Sequence, residues 1–382
     1  MGKNDRKAYL DAIRGRYRKA SRADKSKILD EFCAVCHYHR KYALRRLGQP
    51  IRKAVARQKP GKRSRYDVAA VMVPLRAIWL ATDQMASKRL KAAMPLWLPH
   101  YEAAHGILAD DVRHKLLTVS AATLDRLLSP VRAQAGKRGL SGTKPGTLLK
   151  NQIPLQGEAW GVSVPGFIEA DTVAHCGNSL AGDFVWSLTM TDLYSGWTEC
   201  RATWNKGADG VMQQIKAVQQ ALPFAIKGFD CDNGSEFLNW HLLRYFQTHA
   251  EPIHFTRSRP YHSNDNAHVE QKNWSCVRQL FGYDRFANPR LVKAMNDLYA
   301  KEFSWLTNFF CPTMKLVDKT RVGAKIVKKY GAPETPAQRL LLHPSLTDVQ
   351  KQRLIDIQTT LNPFVLRDII QRKLRAIFKL VR

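Results

Sequence analysis

The chain has no run of about 18 apolar residues, the minimum for a membrane-spanning helix, so the sequence predicts no such span. Its opening stretch, MGKNDRKAYLDAIRGRYRK, has no apolar segment of the kind a signal peptide needs. Arg6 stands where a myristoylation signal carries serine or threonine. No GxxxxGKS or GxxxxGKT string is present, which argues against ATP-driven phosphate-loop chemistry. Cysteine is sparse: Cys33, Cys36, Cys176, Cys200, Cys231, Cys276 and Cys311 are odd in number and scattered, so a disulfide framework is not expected and a reducing compartment is. Acid is scarce as well, with 32 Asp and Glu against 61 Lys and Arg. These absences point to a cytoplasmic, nucleoid-associated protein with no membrane partner.

The net charge of +29, with a pI near 10.0, calls for a polyanion, which a basic surface binds by releasing counterions. Residues 1–150 hold 33 Lys and Arg against 11 Asp and Glu, so the surplus is concentrated in the first two-fifths of the chain. No long basic amphipathic anchor accompanies it, and double-stranded DNA is the expected partner. At 382 residues and 45% hydrophobic content the chain is long and apolar enough for two or three folded domains.

Taken in order, residues 1–48 predict a helix-turn-helix, with Lys25–Phe32 followed by YHRKYALRRL, whose Arg40, Lys41, Arg45 and Arg46 are DNA-contact candidates. Cys33, Cys36 and His37 resemble a metal or haem motif, but no second ligand pair stands at suitable spacing, and a helix end with packed thiols is expected. Residues 49–65 form a basic linker broken by Pro and Gly, with Arg63 and Arg65 set to follow a phosphate backbone. Residues 66–136 predict a second helical DNA-binding domain, in which Asp110–Leu128 reads as another helix-turn-helix capped at Ser120 and carrying Arg126. Trp79 and Trp97 are expected in its core. Residues 137–165 form a second linker, with Lys137 and Arg138 as further DNA candidates.

Residues 166–312 switch to an α/β pattern. Strands are predicted at Phe167–His175, Phe184–Asp192, Trp197–Trp204, Ile226–Phe229 and Ile253–Thr256, and helices at Ala208–Leu222, Phe237–Thr248 and beyond Asn264. Residues 313–382 follow as a small C-terminal domain, a hairpin and two amphipathic helices, whose role (subunit contact, DNA contact or capping of the core) the sequence leaves open. The predicted fold class is therefore multidomain: an α-helical, helix-turn-helix N-terminal region, an α/β domain and a small C-terminal domain.

Within the α/β region, carboxylates fall at element ends. Asp171 shares a strand face with Glu169 and Val173, Asp232 follows a short apolar strand at its exit, and Glu270 lies on the first turns of a helix beside Asn273 and Trp274. Asn264 or Asp265 is placed to cap that helix, and Val269, Trp274, Val277, Leu280 and Phe281 recur at helical spacing along it. Acidic oxygens gathered at one place suit magnesium or manganese, and two such ions clamp the attacking and leaving oxygens of an in-line phosphoryl displacement. Spacing alone does not separate these acids from Glu169, Asp230 and Asp265. Asp192, before a Ser-Gly turn, reads as a turn residue.

The strings Asp171-Thr, DNGSEF from Asp232, and YHSNDNAHVE ending at Glu270 resemble the DDE core of transposases and retroviral integrases, with the nearest likeness to bacterial insertion-sequence transposases. The likeness covers about residues 165–312. It implies a ribonuclease-H-like fold and selects Asp171, Asp232 and Glu270 as catalytic, metal-binding residues for two Mg²⁺ or Mn²⁺ ions. It also implies a homo-oligomer on DNA, and a reaction in which water cuts an element end to free a 3′-hydroxyl that then attacks target DNA. The chain departs from the family in a slightly longer gap between Asp232 and Glu270, and in Gln271, where arginine or lysine is usual. A catalytically inactive DNA-binding regulator and a ribonuclease-H-like nuclease are the alternatives.

Overall fold

The computed structural model describes residues 2–49, 66, 68–134, 162–231, 236–237, 239–257, 267–323 and 325–381. The chain divides into two compact units, Met1–Arg65 and Tyr66–Arg382.

The first unit holds three helices, α1 (Lys3–Lys19), α2 (Arg22–Cys36) and α3 (Arg40–Gly48). Ser21 starts α2 by accepting a hydrogen bond from the Asp24 N–H, and His37 ends it in the left-handed conformation, so only Tyr38 and His39 remain before α3. Leu10, Ile13, Tyr17, Ile28, Leu29, Phe32, Cys36, Ala43 and Leu47 close a small core, with Phe32 and Leu47 fully buried. The thiol of Cys36 belongs to this packing, and burial raises its pKa.

The second unit opens with four helices, α4 (Val68–Ala81), α5 (Ser87–His105), α6 (Asp110–Thr118) and α7 (Ala121–Gln134). Ser120 accepts a hydrogen bond from the Thr123 N–H at the start of α7, the cap the sequence predicts. A five-stranded mixed sheet follows, in the order β3-β2-β1-β4-β5. Strands β1 (Phe167–Ala174), β2 (Val185–Asp192) and β3 (Thr198–Trp204) form an antiparallel meander, and β4 (Gly228–Cys231) and β5 (His254–Arg257) add to β1 in parallel. Each parallel step needs a crossover helix, supplied by α8 (Ala208–Ala221) between β3 and β4 and by α9 (Trp240–Gln247) between β4 and β5. Gly166 takes φ +114° where the entry to β1 passes the entry to β4; a Cβ there would meet the Ala225 carbonyl oxygen at 2.6 Å.

Strand β4 lies two residues later than its apolar run predicts. Backbone pairing with β1 on one side and β5 on the other carries the extended chain through Asp230 to Cys231, overriding the local polarity. The sheet is covered by a helix running Ala267–Lys272 (α10), widening into a π-helical turn at Asn273–Arg278 and closing at Gln279–Phe281. Another helical stretch runs Arg290–Leu298 (α11), Tyr299–Phe303 and Ser304–Phe310 (α12). A two-stranded hairpin, β6 (Leu316–Val322) and β7 (Lys325–Tyr330), precedes α13 (Pro336–Leu342), α14 (Asp348–Thr360) and α15 (Pro363–Val381).

Residues Tyr66–Arg382 form one compact unit. Trp97 on α5 is fully buried, donates its indole N–H to the Phe310 carbonyl at 2.9 Å and stacks edge-on against Phe364 of α15. Arg89 donates to the Pro312 carbonyl at 2.6 Å, and Arg367 pairs with Asp83. One hydrophobic core runs from Val71 to Ile377 and takes in all three segments. The helical-plus-α/β composition of the fold is as the sequence predicts. No helix among the described residues is long and apolar enough to cross a membrane.

Candidate active site

Strand alternation turns Glu169 and Asp171 of β1 toward the same covering helix. The Glu169 carboxylate accepts a hydrogen bond from the Val269 N–H at 3.1 Å, satisfying one of the unpaired amides in the first turn of α10. The Asp171 carboxylate accepts from the Asn273 side-chain amide at 2.7 Å and from the Thr172 N–H at 2.7 Å. The spacings match: two strand residues advance about 6.6 Å and four helix residues about 6 Å. The helix is thus laid along β1, in the same direction, by two neighbouring acids. Glu270 follows Val269 by one residue and precedes Asn273 by three, which puts its carboxylate on a turn held at both ends against β1, and it is exposed.

This arrangement separates two of the acids that spacing left equivalent. Glu169 is buried, 4% exposed, and caps a helix. Asp171, one residue pair further along the strand, is only partly buried. Asp230, paired in register with Glu169, accepts a hydrogen bond from the Thr256 hydroxyl at 2.6 Å. Asp232 follows directly on the end of β4 but lies outside the described residues, as do Asn264 and Asp265. Among the described residues no group of three His, Cys, Asp or Glu is gathered as a metal site. The donors that are described at this place, Asp171 and Glu270, are oxygen donors without sulfur or imidazole, and the buried Asn273 Oδ1 beside them accepts no hydrogen bond. That chemistry fits a hard divalent cation.

Two neighbouring features have no signal of their own in the sequence. Glu236, from the DNGSEF string, is buried; its Oε1 accepts from the Thr172 hydroxyl at 3.1 Å and pairs with Lys206 at 2.7 Å, and its Oε2 accepts nothing. Glu236 thus ties the residue after Asp171 to the exit of β3. Lys206 sits in an ordinary polar turn, and only the fold reveals its partner. On the other side Lys272 donates to the Gly196 carbonyl at 3.2 Å, pinning α10 to the β2–β3 turn.

Other expectations resolve residue by residue. Trp274 faces out, 53% exposed, because the π-helical turn widens the spiral and sends Cys276 and Val277 into the core in its place. Asp192 closes its turn, accepting from the Gly166 N–H at 2.8 Å, the Ser195 N–H at 2.7 Å and the Ser195 hydroxyl at 2.5 Å, while burial pushes its carboxyl pKa up. Beneath the site His175 stacks on Phe286 and hydrogen bonds Ser187 at 2.8 Å; burial lowers its pKa to about 3, so the ring is neutral.

Of the DNA-contact candidates, Lys41 and Arg45 are exposed on α3, with Arg45 over the Tyr42 ring. Arg40 is exposed but already paired with Asp30 and bonded to Ser26 at 3.1 Å. Arg46 is half-buried, and its carbonyl accepts from Arg14 at 3.1 Å. Arg126 is exposed on α7 and bonds Thr123 at 2.9 Å. Arg63, Arg65, Lys137 and Arg138 lie outside the described residues.

No protein-family model matches the chain. It is 39% identical over 336 residues to the uncharacterized protein y4rM of Sinorhizobium fredii, covering 86% of this chain and 93% of that protein. Among solved structures it is similar to a chain of the simian T-cell lymphotropic virus intasome, which was solved with the PP2A regulatory subunit B56 gamma; identity is 13% and TM-score 0.36, over 65% of this chain and 76% of that one. It is similar also to the catalytic core domain of BIV integrase, at 15% identity and TM-score 0.27, over 45% of this chain and 91% of that one. The HTLV-2 integrase catalytic core, solved with magnesium, gives 15% identity and TM-score 0.28, over 40% of this chain and 92% of that one.

Proposed function

The chain belongs to the family of the rhizobial protein y4rM, and we propose that it is a metal-dependent polynucleotidyl transferase, a DDE transposase that cuts element ends and joins the freed 3′-hydroxyl to target DNA. The observation that carries this reading is the docking of α10 on β1: Asn273 holds Asp171 from a position one helical turn beyond Glu270, so the two acids the DDE likeness selects belong to one small substructure. Asp232, one residue past the end of the neighbouring strand β4, is the third member of the proposed set.

Asp171, Asp232 and Glu270 would hold two magnesium or manganese ions, which when bound stabilise charge on the attacking and leaving oxygens of the scissile phosphate. The chain's own residues set the geometry. Asn273 fixes the Asp171 carboxylate in one rotamer, Glu169 fixes the start of the helix that carries Glu270, and Lys206 pairs with the buried Glu236. Exchange of one phosphodiester for another needs no nucleotide triphosphate, in keeping with the lack of a phosphate loop. The basic surfaces bind the duplex, and assembly as a homo-oligomer would bring two element ends together.

The test is incubation of the full-length protein with Mg²⁺ and a labelled duplex taken from the borders of its gene. Cleavage followed by joining is expected from the native chain. Asp171→Asn and Glu270→Gln should each reduce both steps to background while duplex affinity stays within about twofold, since neither side chain is assigned to phosphate binding. Binding without cleavage by the native chain would leave a DNA-binding regulator, and cleavage without joining a nuclease. Undiminished joining by either variant would remove that acid from the site.

A further inference from the structure

The hairpin β6–β7 lies outside everything the proposed reaction uses. Its base is fastened firmly. Thr313 and Glu334 exchange backbone hydrogen bonds at 2.8 and 3.1 Å, the Gly331 N–H bonds the Lys315 carbonyl at 2.9 Å, and Lys315 donates to the Tyr194 carbonyl in the β2–β3 turn. Arg339 joins Thr313 to the Ser195 carbonyl at 2.8 Å on each side. Beyond that base the arms leave the core. Val317 is 67% exposed and Val327 53%, and Leu316, Ile326, Tyr330, Arg321, Lys328 and Lys329 are exposed too.

A two-stranded ribbon with neither face covered is marginal in water, and exposed valine, isoleucine and tyrosine on a rigid mount mark an interaction surface. Charge says what it meets. Residues 316–330 contain five Lys and Arg and one acid, Asp318, which accepts the neighbouring Thr320 hydroxyl at 2.8 Å. Lys328 and Lys329 stand side by side and exposed on β7, gathering positive charge that a polyanion relieves. Dimensions agree with a duplex. Seven residues of strand span about 23 Å, and a two-stranded ribbon enters a major groove about 12 Å wide. Apolar side chains between the cations would meet thymine methyl groups there.

We propose that the hairpin is a DNA-binding ribbon that lies in a major groove of the duplex on which the site acts, a second DNA contact separate from the α3 helix. This rests on the polynucleotidyl transferase reading, and the test keeps the two apart. Full-length protein would be titrated onto a fluorescent 40-base-pair duplex at several salt concentrations, alongside the triple variant Arg321→Gln, Lys328→Gln, Lys329→Gln. A control triple variant, Lys351→Gln, Arg353→Gln, Arg375→Gln, removes equal charge from α14 and α15. The hairpin variant should lose affinity about tenfold, and its log affinity against log salt slope should fall by about 2.7 in magnitude, about 0.9 for each phosphate contact removed. The control should change little.

Equal slopes for native chain and hairpin variant, or equal losses in hairpin and control variants, would overturn the proposal while leaving the enzyme reading intact. Failure of the native chain to bind any duplex would overturn both. Loss of binding to phosphatidylserine vesicles with no change on DNA would assign the ribbon to a membrane surface instead, and would also overturn it.

Discussion

The helices α1–α3 and α4–α7 look alike as sequence, each a helical stretch containing a helix, a short turn and a second helix. They differ in where their apolar faces go. In α1–α3 nine residues make a private core around Phe32 and Leu47, and the outer face of α3 keeps Lys41 and Arg45 exposed. In α4–α7 the apolar face is shared: Trp97, Leu98, Leu124 and Leu128 belong to the core that also holds the sheet and α15. The same local pattern therefore yields a free-standing module in one place and a structural buttress in the other. The difference is decided by partners distant in the chain, such as Phe310, 213 residues from Trp97, and Phe364.

The comparison predicts where damage spreads. Trp97→Ala, which removes a fully buried indole and orphans the Phe310 carbonyl, should cost about 3–5 kcal/mol and lower the melting temperature of the Tyr66–Arg382 unit together with its activity; calorimetry that showed loss of α4–α7 alone would contradict the shared core. Phe32→Ala should cost about 3 kcal/mol but only within Met1–Arg65, so two transitions would separate in the thermogram while catalysis on pre-cut ends persists. Smaller effects distinguish the two helix pairs as DNA contacts. Lys41→Ala and Arg45→Ala should each lower the salt slope of duplex binding by about 0.9, whereas Arg126→Ala should leave it nearly unchanged. A larger effect from Arg126 would reverse the assignment of module and buttress.

Much of the sheet was legible because each strand has an apolar run with turn residues at its ends: β2 and β3 start one residue later than their patterns predict, and β5 is displaced by one. The meander followed by crossover helices is equally plain in the order of elements. What was not legible depends on contacts between distant segments. Strand β4 runs on through Asp230 because both neighbours pair with it, and Trp274 turns outward because the helix widens. Asp171 and Glu169 were equivalent by alternation; only the amides of Val269 and Asn273 assign one to a helix cap and leave the other half-open. The Glu236–Lys206 pair joins residues thirty positions apart, which no local periodicity reports.

The wide turn at Asn273–Arg278 has a further consequence for the orientation of Glu270. The Gln279 N–H reaches back five residues to the Trp274 carbonyl, one more than an ordinary helix allows. Each residue of such a turn rotates the chain through less angle than in a regular helix, so deleting one residue there and restoring the regular ladder would leave the segment upstream nearly unrotated relative to the anchor at Phe281. The wide turn thus absorbs one extra residue between Glu270 and Phe281 while the bearing of the acid is kept.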